Sequence, residues 1–431
     1  MAEIAPFSGY RFSLETPQML GVHIAPPYDM LDSGRIDELY QIHPENVVRV
    51  TQNRPQPQDA ENRDRHVRAA KTLSDWIREG VLVKDREPSV YVYEQKFRIR
   101  VGAEVREAVR TGVVAAVKLV DFDEKVVLPH EATLSGPKKD RYELLEESTT
   151  HTEQIFGLLA DDGQFHATLR SLVSETPDGV FTDENDVVHS LYRCTDETVI
   201  GKLVALAEGK TILIADGHHR YETALNYYKA TGRPEHAHTM MTLVSTADPG
   251  LLIRPFHRLV KKTDRQVAMK PALEAYFDLR DCGIVDSAAV YEFIGGESDT
   301  SMLFVDSADG HLYECVLSAA GENYLASVMP EHSMLWKKLT VSMINVFVIN
   351  GILGLPLDGH VLHDVIDYVN DAADGVSRCG DAAVYHGGFF IRPATIATVG
   401  DIVAGNERMP QKSTNFYPKM YSGLVLHTMG R

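Results

Sequence analysis

The stretch Lys210–Ala230, KTILIADGHHRYETALNYYKA, decides the fold class. Thr211–Ala215 is a short apolar run, which predicts a buried strand. Asp216–Arg220 follow as a polar turn, and Tyr221–Ala230 carry apolar residues at helical spacing. A strand, a glycine-containing turn and a helix in succession are typical of proteins that mix the two kinds of secondary structure.

This turn has the chemistry of an anion site. Backbone N–H groups in the first turn of a helix lack partners within the helix, and the helix dipole favours a negative charge there. Gly217 allows the backbone to approach a phosphate closely. His218, His219 and Arg220 add hydrogen-bond donors, and the guanidinium of Arg220 can donate to two phosphate oxygens at once. Asp216 ends the strand and is suited to binding a metal ion or orienting a hydroxyl. The alternative is an Asx-turn with surface histidines.

A second polar group follows another apolar run. His130 and Glu131 stand together, and a carboxylate beside a histidine at a strand end is a candidate general base. Three basic residues shortly after would neutralise phosphate charge: Lys138, Lys139 and Arg141. The alternative is a helix N-terminus with a solvated charged face.

Two proline-containing segments offer further polar groups. Near the C-terminus, Met409–Lys419 reads MPQKSTNFYPK, and its donors would line a pocket: Lys412, Ser413, Thr414 and Lys419. A stiff loop packed by its own aromatic side chains is the alternative. Near the N-terminus, Pro26–Asp29 and His43–Asn46 place polar groups beside prolines, for which turn chemistry is the favoured interpretation.

The strand and helix patterns are mixed along the whole chain. Val90–Arg100 and Glu104–Val120 predict two strands joined at Val101–Ala103, and Met302–Leu317 predicts a hairpin. After the exposed loop Gln52–Asp64 we predict a helix that stops at Gly80, and its apolar face carries Val67, Ala70, Leu73, Trp76 and Ile77. We therefore predict an α/β (α+β) chain with regions at 1–117, 118–245 and 246–431.

Composition bounds the class of protein. The 431 residues include 43 basic and 61 acidic side chains, for a formal net charge of −18, with 44% apolar residues. These values indicate a globular protein of two or three domains and argue against broad nucleic-acid binding, which needs basic residues for the phosphates.

The location of the protein is also an expectation from sequence. The four cysteines form no CxxC pair, and the N-terminus has no secretory pattern. The most apolar stretch, 344–357, is too short and too interrupted to span a bilayer. We expect a cytoplasmic protein with no membrane partner.

Six segments together resemble one family. They are APPYDM, HPENVVRV, PHEATLSGPKKDR, ADGHHRYETAL, DPGLLIRPFHR and MPQKSTNFYPK, and they resemble the bacterial and archaeal family DUF1015. The region 118–245 also resembles the ParB/sulfiredoxin superfamily, and within it the kinases that phosphorylate free serine. The resemblance implies a mixed-sheet ParB-like core with additional N- and C-terminal α/β regions.

The resemblance to serine kinases implies roles for several residues. Glu131, with His130, would activate the serine hydroxyl, and Asp216 would assist it or hold Mg²⁺. Gly217–Arg220 would cradle the phosphates of ATP or ADP, although other donors stay open. The long separation of Glu131 from Asp216 and the large terminal regions depart from the compact kinases.

The leading hypothesis is therefore a nucleotide-dependent kinase of a small molecule. It would transfer a phosphoryl group to, or in reverse from, the hydroxyl of free L-serine or a similar metabolite. The alternatives are a ParB-like nucleotide-binding switch or NTPase, and a non-catalytic binder of a phosphate metabolite. The terminal regions would add the substrate pocket or form a dimer surface, so a homodimer stays open.

Overall fold

The computed structural model describes residues 2–101, 104–131, 135–265, 267–296, 300–357 and 359–430. The tip of the predicted turn at 101–103 and the centre of the PHEATLSGPKKDR segment, 132–134, lie outside the described residues.

The strands in the described ranges are β1 Ile4–Ala5, β2 Tyr10–Phe12, β3 Leu82–Lys84, β4 Val90–Val101, β5 Glu104–Lys118, β6 Val127–Pro129, β7 Thr150–His151, β8 Ile155–Leu159, β9 Gly179–Thr182, β10 Val188–Cys194, β11 Ile212–Asp216, β12 His238–Ser245, β13 Leu252–Arg254, β14 His257–Lys261, β15 Phe277–Ile284, β16 Met302–Asp306, β17 His311–Leu317, β18 Ile366–Val369, β19 Tyr385–Phe390, β20 Asn415–Tyr417 and β21 His427–Thr428.

The α-helices there are α1 Leu20–His23, α2 Ser33–Ile42, α3 Val48–Thr51, α4 Arg63–Glu79, α5 Ser135–Ser148, α6 Gln164–Arg170, α7 Glu197–Ala207, α8 His218–Thr231, α9 Met269–Leu273, α10 Ser287–Ile294, α11 Ala319–Ser327, α12 Met334–Lys337, α13 Thr340–Met343, α14 Gly359–Val365, α15 Ala372–Cys379 and α16 Ile396–Ala404, with a π-helix at Ile344–Ile352.

A nine-stranded mixed sheet forms the larger layer. Its order is β6-β11-β8-β12-β5-β4-β10-β9, and β1 pairs with β5. The pairs β6–β11 and β8–β12 are parallel, while β4–β5 and β5–β12 are antiparallel. The boundary predicted at residue 117 falls inside β5, so this sheet continues across it.

A six-stranded sheet forms the second layer, in the order β15-β17-β16-β19-β14-β18. The predicted hairpin is confirmed, because β16 and β17 pair in antiparallel register. The α+β class predicted from sequence is confirmed by these two sheets and their helices.

The alternation of β5 explains how the layers pack. Val114 and Ala116 belong to the apolar core shared with the second sheet, whereas Val113, Ala115 and Val117 pack with the helices on the opposite face. Successive side chains of a strand point to opposite faces, so one strand serves two cores. The π-helix is buried in the shared core, and within the described residues no helix combines the length and hydrophobicity that a bilayer crossing requires.

Two helix predictions need correction. Helix α8 begins at His218 and not at Tyr221, because the left-handed Gly217 alone makes the turn. Helix α4 ends as predicted at the left-handed Gly80, but Val67 is 48% exposed. His66 and Ala69 lie on the buried face in its place, beside Ala70, Leu73 and Trp76, whose predicted positions on that face are confirmed.

Buried histidines should make the fold sensitive to acid. Burial lowers the pKa of His151 to about 3, that of His257 to about 3 and that of His427 to about 4. An unfolded histidine has a pKa near 6.5, so below that pH the unfolded chain binds more protons and stability falls towards pH 3 to 4. At pH 5, each such histidine costs about 2 kcal/mol relative to pH 7.

Urea unfolding at pH 7 and at pH 5 measures this loss. We expect His151→Gln to reduce the difference in unfolding free energy between the two pH values by about 2 kcal/mol. An unchanged difference in the variant would show that His151 does not carry the effect.

Candidate functional site

The candidate site lies where two neighbouring parallel strands end. Strands β6 and β11 run in the same direction, so Glu131 and Asp216 reach the same edge of the large sheet. Helix α8 begins there, directly after Gly217. The carboxyl ends of parallel strands are the usual location of ligand sites in such sheets.

Gly217 has a conformation and a neighbour that a side chain would disturb. Its φ is +92°, and a Cβ atom there would lie 2.9 Å from Nη2 of Arg220. The residue before α8 is a glycine, so the helix has no side chain at its N-cap position, and the N–H groups of a helix's first turn are suited to bind an anion. The guanidinium of Arg220 therefore folds back over the glycine beside these donors.

Two cations hold the carboxylate of Asp216. Nη2 of Arg220 lies 3.1 Å from Oδ2, and Nζ of Lys419 lies 3.5 Å from Oδ1. Burial acts to raise the pKa of Asp216, but Lys419 and Arg220 outweigh it and lower the pKa to about 2. Asp216 is therefore a carboxylate at neutral pH.

Arg220 keeps donor capacity within this arrangement. Its side chain is 10% exposed, and it also donates to the carbonyl oxygen of Gln154. Its Nε has no hydrogen-bond partner in the described part of the chain. A buried donor without an acceptor is costly, so the geometry favours an anion at this position.

The C-terminal segment orients Glu131. The backbone N–H of Ser413 donates to Oε1 of Glu131 at 3.3 Å, and the hydroxyl oxygen of Thr414 lies 3.4 Å from the same atom. The Glu131 side chain is 21% exposed, and no described residue contacts Oε2 within hydrogen-bond distance. One oxygen is thus fixed while the other can accept a proton.

His130 and His218 are buried supports of this edge. Nδ1 of His130 donates to the carbonyl oxygen of Ile214 at 2.7 Å, so Nε2 accepts from the hydroxyl of Thr414 at 2.7 Å. The backbone N–H of His130 donates to Nε2 of His218 at 3.3 Å. Burial lowers the pKa of both rings. With both ring nitrogens engaged, His130 is arranged to position Thr414, and its predicted catalytic role is better described as positioning.

Four predicted phosphate ligands lie elsewhere or are already paired. Lys139 is 81% exposed and faces Glu143, so it lies on the outer surface. Arg141 is buried, donates to Asp140 and Thr51 and covers the ring of Tyr28. Lys412 is exposed, with its Nζ 5.4 Å from the centre of the Phe256 ring, and Lys138 donates to Glu222 at 2.8 Å beside His219.

These placements correct the sequence interpretation. Lys139 and Lys412 are not brought to Asp216, because each side chain lies against surface neighbours. Arg141 stabilises a wall of the site, because its charge is matched by Asp140 and Glu153. Ser413, Thr414 and Lys419 are the residues of the C-terminal segment that reach the candidate site.

The N-terminal segment contributes residues that the sequence did not place in the site. Asp29 is in contact with solvent. Partial desolvation by the surrounding protein and the negative charge of Asp216 nevertheless raise the pKa of Asp29. The backbone N–H of Tyr28 donates to Glu153 at 3.1 Å, which fixes this segment. The APPYDM segment was a visible signal, but nothing in its spacing linked residue 29 to residue 216.

The predicted metal ligand stays a prediction. Among the described residues, three side chains with ligand atoms within 4.8 Å of one another are found at His23, His43 and Glu45. None of these belongs to the candidate site. Mg²⁺ needs fewer protein ligands than that, because it is usually held by one or two carboxylates together with phosphate oxygens and water.

Arg110 fastens the C-terminal segment to the large sheet. It is fully buried and donates to the carbonyl oxygens of Tyr417 and Pro418, and also to the side chain of Gln95. Gln95 in turn donates to the carbonyl oxygen of Lys419 at 2.9 Å. Two polar side chains of the sheet thereby set the backbone that carries Lys419.

A family model described as a protein of unknown function, DUF1015, matches residues 4–342. The chain belongs to the DUF1015 family. The resemblance seen in the six sequence segments is thus confirmed. No curated protein sequence matches this DUF1015 member.

Solved structures similar to this DUF1015 member include a free serine kinase in complex with AMP, with 14% identity, a TM-score of 0.33 and coverage of 71% of this chain and 86% of that one. A conserved hypothetical protein from Pyrococcus furiosus has 13% identity, a TM-score of 0.33 and coverage of 72% and 92%. SbnI with a C-terminal truncation, from Staphylococcus aureus, has 12% identity, a TM-score of 0.35 and coverage of 71% and 85%. These similarities assign no role to any residue here.

Gly217→Ala tests the geometry of the turn in this DUF1015 member. We expect the unfolding free energy to fall by about 1–2 kcal/mol, because alanine is strained in the left-handed region and its Cβ displaces Arg220. Gly201→Ala is the matched control, since Gly201 lies in α7 with no atom within 4 Å of the added Cβ. Urea unfolding should rank the control at or above the wild type. Equal unfolding free energies for Gly217→Ala and Gly201→Ala would contradict the expected backbone strain at residue 217.

Proposed function

We propose that this chain is a nucleotide-dependent phosphotransferase whose acceptor is the hydroxyl of free L-serine or a similar metabolite. The observation that carries the proposal is the shared edge of β6 and β11. There the oriented carboxylate of Glu131 lies beside the start of α8, with Arg220 and Lys419 nearby. Phosphoryl transfer needs positioned reactants and neutralised charge more than covalent chemistry.

The phosphates of ATP or ADP would bind at the start of α8. The N–H groups of Gly217–His219 and the guanidinium of Arg220 would donate to the phosphate oxygens, and Lys419 would add its charge. His218 is buried and its pKa is lowered, so it supports the helix start as a neutral ring. A nucleotide there would give the Nε of Arg220 its missing acceptor.

Glu131 would act as the general base. Its Oε2 would accept the proton of the acceptor hydroxyl while that oxygen attacks the terminal phosphorus, and the bond from phosphorus to the nucleotide oxygen would break. The products are the phosphorylated acceptor and the shortened nucleotide. In reverse, the protonated Glu131 would return the proton.

Asp216 fits a second part of this chemistry. Within the described ranges Oδ1 has only the 3.5 Å contact to Lys419, and Asp29 is close enough for the charge of Asp216 to raise its pKa. Two such carboxylates beside phosphate oxygens match the ligands that Mg²⁺ takes. When bound, Mg²⁺ would neutralise phosphate charge, and Asp216 with Asp29 would hold it.

The cell context of the proposal follows from its substrates. A nucleotide and a free amino acid are cytoplasmic metabolites, so we place the protein in the cytoplasm without a nucleic-acid or membrane partner. A homodimer stays a prediction.

The direct test is product analysis. Purified full-length protein is mixed with Mg²⁺, L-serine and one donor at a time: ATP, ADP, CTP or pyrophosphate. We expect phosphoserine in the ³¹P NMR spectrum with at least one donor, and equal rates for the control Lys139→Gln, whose side chain lies on the outer surface. Nucleotide hydrolysis without serine would favour the switch or NTPase, and binding without turnover would favour the binder.

A further inference from the structure

A cavity outside the candidate site lies away from the shared edge of β6 and β11. It measures about 300 Å³ and lies between β4, the segment from β13 to β14, and helices α10 and α15. Three arginines and two tyrosines line it among apolar residues: Arg98, Arg100, Arg254, Tyr291 and Tyr417. Small-molecule sites have volumes from about 300 Å³ upwards and combine apolar walls with a few polar groups.

The positive charge in this cavity is poorly balanced. Arg98 has only a 3.8 Å contact to Glu107, and Arg100 has no carboxylate partner among the described residues. Among the described lining residues Asp371 is the one acidic side chain; it accepts a hydrogen bond from the hydroxyl of Tyr291 at 2.7 Å, and its charge is also felt by Arg254, so it faces three guanidinium groups alone. Such a group of arginines is unexpected in a chain with a net charge of −18.

Aromatic rings hold two of the guanidinium groups in place. The guanidinium carbon of Arg100 lies 5.1 Å from the centre of the Tyr291 ring, and that of Arg254 lies 4.9 Å from the centre of the Tyr417 ring. Arg254 also donates to the carbonyl oxygen of Asn370 at 3.1 Å. Contact with an aromatic face orients a guanidinium but leaves most of its donors unused.

We propose that this cavity binds a small organic anion, with one phosphate or carboxylate group and a planar apolar body. The anionic group would lie between Arg100 and Arg254, because planar guanidinium groups bind both phosphate and carboxylate by paired hydrogen bonds. The body would lie among Ile99, Leu252 and Ile294 of the lining. The volume is at the lower end of the range for small-molecule pockets, which fits a small occupant.

An occupant of this cavity would also contact the segment that completes the candidate site. Tyr417 belongs to β20, which pairs with β13 and lies between Thr414 and Lys419. Thr414 contacts His130, and Lys419 contacts Asp216. Anion binding and the candidate site therefore share one stretch of backbone, although the binding proposal does not rest on the proposed function.

Calorimetric titration of the full chain with phenyl phosphate and with benzoate tests the proposal. We expect saturable binding of at least one probe, and the preferred probe identifies the head group. Arg100→Gln should weaken this binding about tenfold or more, because it removes a charge-assisted contact. Arg100 is exposed, so the variant should fold, which circular dichroism verifies.

Two further variants separate this cavity from other anion sites. Arg106→Gln is the matched control, since Arg106 lies on β5, is 64% exposed and pairs with Glu104. Arg220→Gln removes the guanidinium at the start of α8 and should leave probe binding within twofold of the wild type. The proposal is overturned if neither probe binds, if Arg100→Gln binds like the control, or if Arg220→Gln abolishes the binding.

Discussion

Replacing Glu131 with glutamine is expected to lower the rate of phosphoryl transfer by about 10²–10⁴-fold. Glutamine keeps the size of the side chain and an oxygen that accepts from the N–H of Ser413, so the local structure should persist. The amide nitrogen that replaces Oε2 in glutamine cannot accept the proton of the acceptor hydroxyl. The loss should therefore appear in kcat, measured by ³¹P NMR or by mass spectrometry of the product.

Nucleotide affinity separates this role from a structural one. The groups proposed to bind the nucleotide phosphates lie on α8 and at Lys419. Glu131→Gln should therefore change the nucleotide Kd by less than about threefold. Thr414→Val is the companion variant, because it removes the hydroxyl near Glu131 and keeps the carboxylate. It should lose much less activity. Full activity of Glu131→Gln would exclude Glu131 as the base.

Replacing Arg110 with methionine is expected to lower the unfolding free energy by about 3 kcal/mol or more. The variant leaves two backbone carbonyl oxygens, of Tyr417 and Pro418, without their donor in a buried place. It also removes the partner of Gln95 and the contact of the guanidinium with the Phe156 ring. Urea unfolding at pH 7 measures the effect.

The same variant should weaken nucleotide binding, although Arg110 does not reach the site. Its loss frees the backbone that sets Lys419, so the nucleotide Kd should rise about tenfold. Lys419→Met is the comparison, because it removes the charge beside Asp216 and leaves the buried hydrogen bonds intact. It should weaken nucleotide binding with little loss of stability. Normal binding in Arg110→Met would show that the segment is held by other contacts.

The local parts of this structure were predictable, and the long-range parts were not. Apolar runs located β11, the β16–β17 hairpin and most of α8, because strand and helix periods are local properties. The start of α8 was misplaced because a single left-handed glycine can turn the chain in one residue. The pairing of β6 with β11, which brings Glu131 to Asp216, depends on the whole sheet.

The charged residues of the candidate site show the same limit. Arg141 and Lys139 stand two positions apart in the sequence, yet one is buried and the other is 81% exposed. Their difference comes from distant partners, since Arg141 meets Thr51 and Glu153. Asp29 was missed for the same reason, because its neighbours come from other parts of the chain.

The attachment of the C-terminal segment by Arg110 and Gln95 has a consequence for protein synthesis. A ribosome adds Asp216 and Arg220 long before it adds Lys419, so a nascent chain holds the carboxylate of Asp216 with only one of the two cations that contact it in the finished fold. A fragment cleaved before Met409 is in the same condition and also lacks the backbone that orients Glu131. Unfinished or cleaved copies of the protein would therefore lack the complete candidate site, whatever the stability of their remaining sheets.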